Sequence, residues 1–444
     1  MNRGALLSKW TLDGASSATR LIQGAMNAAA RATGSPKVTE VGDRDWRQNY
    51  PTSFHNLTAL EGEDSPTMAK AALDFIYANA QLPDGTNLAE AKPIATEVPV
   101  SQVGKADQAA TCPVPRLSLP IGHSLLNKRA QAALSIVSLH PQWWNLAGYE
   151  VVVLAGAAQL APTVALAHAG ATVHAIVRAD SKRRKALLQA CQDAPGKLVI
   201  PSGRICDVVK NPRQLAGYIC GISKPVILVD ALYAPSRAHV HAAIAADLVE
   251  RMVCQARPDT TVCFSGTPTD VYYSKGHLVD AIVPLQGPNY LAAKRIGRWR
   301  ASTLTGQGVS TITPILPLAA TESVMNSDKL ISTIVGAPAV GVYPVAPSVA
   351  ARLAASWLIF EMHSSDEPAP WQGVKAPCGL WGNPDSQLNS LLPNANMRLH
   401  AAWVAGRLGA GRDAWVGQVP DSIFSEGGKR LRVLARKMRE RLGR

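Results

Sequence analysis

The chain has 444 residues, 47% hydrophobic and 17% charged, which suits a folded globular protein with core enough for two or three domains. No uninterrupted apolar run reaches the roughly 18 residues of a membrane-spanning helix. Seven cysteines without a C-x-x-C pair argue against a zinc site or disulfide framework, so no metal is expected, and the formal charge of +13 favours acidic partners.

Residues 1–145 are read as a mostly helical N-terminal extension. Arg3 and Lys9 are followed by no long apolar stretch, so a secretory signal is not expected and a cytoplasmic location is. The basic, Ala/Ser-rich opening leaves organelle targeting open. Leu21, Ile22, Ala25 and Met26 share one face of an amphipathic helix predicted over 16–32. A second helix is predicted over 67–80. Residues 89–115, rich in Pro, Thr, Ser and Ala, read as a surface loop.

Residues 146–345 carry the regular pattern. The apolar run Val151 to Leu154 fits a strand buried on both faces. Ala155-Gly156-Ala157-Ala158 is small enough for a tight turn, and a helix is predicted over 159–169, ended by Gly170. A β-branched run over 172–177 completes strand, turn, helix, strand, the opening of a dinucleotide-binding βαβ unit. A nucleotide pyrophosphate needs close backbone approach there, which makes Gly156, Ala158, Gln159 and Leu160 cofactor candidates. The glycine pattern is degenerate: counted from Gly156, the later glycines of G-x-G-x-x-G are Ala158 and Ala161. Arg178 ends the second strand, where an NAD-binding unit carries Asp or Glu, and Lys182, Arg183, Arg184 and Lys185 follow. This basic group suits a 2′-phosphate, hence NADP; a solvated helix start is the plainer alternative. Further strands are predicted over 197–201, 225–229, 260–265 and 309–314. Helices between them are predicted over 181–194, 212–222 and 238–256, giving an α/β fold with a doubly wound, Rossmann-like parallel sheet.

In this order Asp207 and Val208 follow the third strand, Ala231 follows the fourth, Ser265 ends the fifth, and Tyr290 and Lys294 form Y-x-x-x-K. The arrangement over about 149–325 resembles the short-chain dehydrogenase/reductase superfamily. Ser265 stands 25 positions before Tyr290, a separation similar to that of its extended branch. The resemblance implies an NADP-dependent oxidoreductase acting on a carbonyl or secondary alcohol. It implies Tyr290 as general acid or base, Lys294 as the cation beside the phenol and on the nicotinamide ribose, and Ser265 as the hydroxyl on the substrate oxygen, with Thr267 as its substitute. It also implies Asp207 at the adenine, Ala231 beside the cofactor, and Thr321 near the carboxamide. A ketoacyl thioester is one substrate expectation. A nucleotide-sugar epimerase or dehydratase and a non-catalytic binding module are the alternatives.

Residues 346–444 are read as a helical substrate-cover region. A helix is predicted over 348–361, then a Pro/Gly/Ser/Asn-rich stretch over 364–396, then a helical pattern over 397–408. The last 16 residues, from Lys429, carry eight basic side chains and one acidic one. They read as a docked basic helix that could also meet an acidic carrier protein or an anionic surface. Assembly as a homo-oligomer is a further expectation.

Overall fold

The computed structural model describes residues 9–12, 16–39, 45–105, 134, 136–264, 271–274, 277–280, 287–304, 310–312, 318–327, 330–340, 344–363, 403–404 and 406–407. A short strand β1 (Trp10–Thr11) precedes α1 (Thr19–Ala32) and the long α2 (Trp46–Asn79). In α1 the buried Leu21, Ile22, Ala25, Met26 and Ala29 recur at helical spacing, which is why this segment needs a partner surface. α2 begins well before the predicted 67–80 and runs through both Pro51 and Pro66. Each proline removes one backbone donor, a local cost that burial of Phe54, Leu57, Met68, Leu73 and Ile76 offsets.

β2 (Ala80–Gln81) pairs in parallel with β1. β3 (Val100–Val103) lies in the stretch read as a loop, and it pairs antiparallel with β6 (Lys197–Pro201). Its side chains are mostly exposed, so it leaves no hydrophobic pattern to read.

From residue 150 strands and helices alternate. β4 (Glu150–Leu154), α3 (Thr163–His168), β5 (Thr172–Ile176) and α4 (Arg184–Ala190) lead to β6. α5 (Pro212–Cys220), β7 (Val226–Asp230), α6 (Ala238–Ala256) and β8 (Thr261–Phe264) follow. A hairpin, β9 (Val271–Ser274) with β10 (His277–Asp280), comes before α7 (Pro288–Leu304) and β11 (Ser310–Ile312). The short helices α8 (Glu322–Met325) and α9 (Ile331–Gly336) precede α10 (Pro347–His363). α3 starts four residues later than predicted because Pro162, which lacks an N–H, occupies its N-cap.

One seven-stranded sheet has the order β11-β8-β7-β4-β5-β6-β3, parallel throughout except for the β3 edge. Successive side chains of a strand point to opposite faces, and β4 shows what each face meets. Val151 and Val153 join a core with Leu166 of α3, Leu187 of α4 and Trp357 and Phe360 of α10. Val152 and Leu154 join a second core with Leu215 of α5, Leu248 and Met252 of α6 and Ile296 and Trp299 of α7. That second core also holds Ile22 and Met26 of α1 and Phe54 and Leu57 of α2. The expected divisions at 145 and 345 therefore fall inside continuous hydrophobic packing. Among the described residues no helix is long and apolar enough to cross a membrane. Ser265, Thr267, residues 364–396 and the basic segment 429–444 lie outside the described residues.

Candidate functional site

A cavity of about 970 Å³ opens at the C-terminal ends of the parallel strands. Its lining includes Ala155 after β4, Val177 and Arg178 after β5, Asp207 after β6, Asp230 and Ala231 at β7 and Phe264 at β8. Open parallel sheets bind ligands at this end, where each strand hands its chain to a turn. Of the expected site residues, Ala158, Gln159, Leu160, Arg178, Asp207, Val208, Ala231, Tyr290, Lys294 and Thr321 all line this one cavity. Gly156 is not among its lining residues.

The turn after β4 explains the glycine. Ala155, not Gly156, takes the left-handed conformation, with φ of 57°. A Cβ on Gly156 would stand 2.6 Å from Cβ and 2.8 Å from Cα of Ala175 in β5. Glycine is thus required by strand packing, and the tight turn is made by an alanine at a cost of about 1–2 kcal/mol. Ala158 N–H donates to the Ala155 carbonyl at 2.7 Å, and Thr163 Oγ1 donates to the Gly156 carbonyl at 2.7 Å, closing the turn.

Tyr290 and Lys294 stand one helical turn apart on α7, with the Lys294 ammonium 5.8 Å from the Tyr290 ring centroid. His239, from the first turn of α6, packs against both neighbouring phenols: 5.5 Å from Tyr290 and 5.0 Å from Tyr233, centroid to centroid. Burial drives the His239 imidazole down to about 3, the Lys294 charge adds to this, and a hydrogen bond to the Leu232 backbone opposes it. The ring is therefore neutral at physiological pH. Asp230 caps its own turn, accepting from the Leu232 N–H at 2.9 Å. Its burial pushes the carboxyl upward, against the pull of the Leu232 hydrogen bond and of Lys294. A phenol beside an ammonium can exchange a proton with a bound oxygen, while the imidazole, held neutral, packs against the phenol. No spacing rule flagged His239, because it belongs to a different element from Tyr290; the signal is its place just after a strand end, nine positions past Asp230.

A second set of contacts is charged. Arg178 donates to both oxygens of Asp180, at 3.0 and 2.6 Å. Arg183 Nη2 donates to Glu322 Oε2 at 2.7 Å, and the Glu322 N–H donates to Gln159 Oε1 at 2.8 Å. Thr321 N-caps α8, its hydroxyl accepting from the Val324 N–H at 3.4 Å.

α7 is held from behind. Glu61 of α2 accepts from Arg295 and, at 2.8 Å, from Trp299 Nε1, and lies 3.6 Å from Arg298 Nη1. One turn further, Arg300 donates to both oxygens of Asp247 on α6 at 2.8 and 3.0 Å, and Tyr77 of α2 donates to the same carboxylate at 2.6 Å. All these groups are buried. The helix that carries Tyr290 and Lys294 is thereby fixed by charge as well as by packing. Among the described residues, no group of three or more His, Cys, Asp or Glu side chains is arranged to hold a metal ion. Compared with family models and with curated proteins, the sequence matches none.

Proposed function

We propose that the protein is an NADP(H)-dependent oxidoreductase of the short-chain dehydrogenase/reductase type, acting on a carbonyl or a secondary alcohol, with ketoacyl thioesters among its candidate substrates. The observation that carries this reading is that one cavity is lined both by the Tyr290–Lys294 pair and by the turn after β4, Arg178 and Asp207. Counted from β4, the parallel strands run 6-5-4-1-2-3, the order of a Rossmann-like, doubly wound dinucleotide fold. The donor set suits the cofactor: Arg178, Lys182 and Arg183 for phosphate, Gln159 and Leu160 beside the pyrophosphate, Asp207 and Val208 at the adenine, Ala231, Lys294 and Thr321 toward the nicotinamide riboside.

When bound, the nicotinamide supplies or accepts the hydride. Tyr290 gives a proton to the substrate oxygen in reduction and takes it back in oxidation. Lys294 sets a positive charge beside the phenol, which favours the transfer. Tyr233, His239 and Phe264 give this part of the cavity an aromatic wall. The separation of Ser265 from Tyr290 favours a second reading, a nucleotide-sugar epimerase or dehydratase built on the same pair.

Fluorescence titration with NADPH and NADH tests the reading. NADPH is expected to bind more tightly, and Arg178→Asp to weaken it roughly ten-fold through loss of a charge-assisted contact. Absence of binding by either nucleotide would leave a non-catalytic module, consistent with alanine at 155, 158 and 161.

A further inference from the structure

We infer that Glu322 is a specificity-determining residue whose carboxylate holds Arg183 in the place of a nucleotide phosphate, so that the cofactor binds by exchanging carboxylate for phosphate. The inference rests on the dinucleotide reading and extends it to a residue far from the βαβ unit. Arg183 and Glu322 are separated by 139 positions, and Gln159 and Glu322 by 163. The fold thus ties one residue to the turn after β4 through its N–H and to the segment after β5 through its carboxylate. Gln159, Arg183, Thr321 and Glu322 all line the cavity. Thr321, by capping α8, orients the Glu322 backbone and side chain toward these partners.

A guanidinium binds carboxylate and phosphate oxygens with the same donor geometry, so the two anions compete for one fork. Exchange is easy because the pair is half exposed, with side-chain exposures of 40% for Arg183 and 49% for Glu322. Such pairs are weak in water and screened by salt. The Arg178–Asp180 pair differs: its members are two positions apart, so it forms within one turn and reports nothing about closure of the cavity.

The test is binding of NADPH and NADH at low ionic strength to the full chain and to Glu322→Gln, Glu322→Ala and Arg183→Gln. Removing the competing carboxylate is expected to tighten NADPH binding about two- to five-fold in both Glu322 variants. Arg183→Gln is expected to weaken it. A gain seen with NADPH but not NADH assigns the exchange to the 2′-phosphate; an equal gain with both would remove Glu322 as a specificity determinant and overturn the inference. Glu322 variants that bind NADPH no better than the unaltered chain would overturn the inference while leaving the dinucleotide reading intact. If the unaltered chain binds neither nucleotide, both fall.

Discussion

Tyr290, Lys294 and His239 can be separated by what each substitution leaves in place. Tyr290→Phe keeps the ring in its packing against His239 and removes only the hydroxyl, so turnover should fall about 10²- to 10⁴-fold with NADPH affinity largely kept. Lys294→Ala should lower both turnover and affinity. Single-turnover kinetics on a carbonyl substrate found by screening, beside nucleotide titration, measures the two effects separately. His239 bears on acid stability. Its folded value, about 3, lies below the ordinary 6.5, so an unfolded chain binds a proton more readily between those limits. Its contribution to stability is complete above about pH 6.5 and is lost as pH falls toward 3. Asp230 and Glu250, raised by burial, act in the opposite sense, losing stability as pH rises through the carboxylate range. The difference between the unaltered chain and His239→Phe in urea melts from pH 7 to 4 isolates the imidazole. The unaltered chain should lose stability relative to the variant on acidification, and parallel curves would show that the ring is not buried neutral.

At the scale of elements, Glu61 joins α2 to α7, and Glu61→Leu would leave Arg295 and Arg298 buried without that carboxylate. A loss of about 3–5 kcal/mol is expected in chemical denaturation, because an uncompensated buried charge costs more than the pair was worth. A loss below about 1 kcal/mol would mean that water reaches the guanidinium groups. The elements themselves were unevenly legible. Buried parallel strands such as Val226–Asp230 announce themselves as apolar runs, and α6 has the expected bounds because Pro258 follows its C-cap, Arg257. β3 is exposed and α2 contains two prolines, so propensity argued against both and tertiary contact prevailed. In the site, Tyr290 and Lys294 were legible because four positions make one helical turn. Arg183 and Glu322 meet only through the fold, and the left-handed Ala155 carries no sequence mark at all.

For the whole molecule, α1 and α2 share one hydrophobic core with the sheet, and Glu61 of α2 adds a buried ion pair to it. A fragment beginning at 146 would present Arg295, Arg298 and the apolar face of α7 to solvent. It should show no cooperative thermal transition, whereas the full chain should; calorimetry on the two distinguishes them. The same arrangement sets a schedule for synthesis. Glu61 precedes Arg295 by 234 positions, and a ribosome adding about 5–20 residues per second needs roughly 10–50 s to cover that interval. Until β4 and the strands after it emerge, the apolar stripes of α1 and α2 have no sheet to lie on, and until α7 emerges Glu61 has no guanidinium to meet.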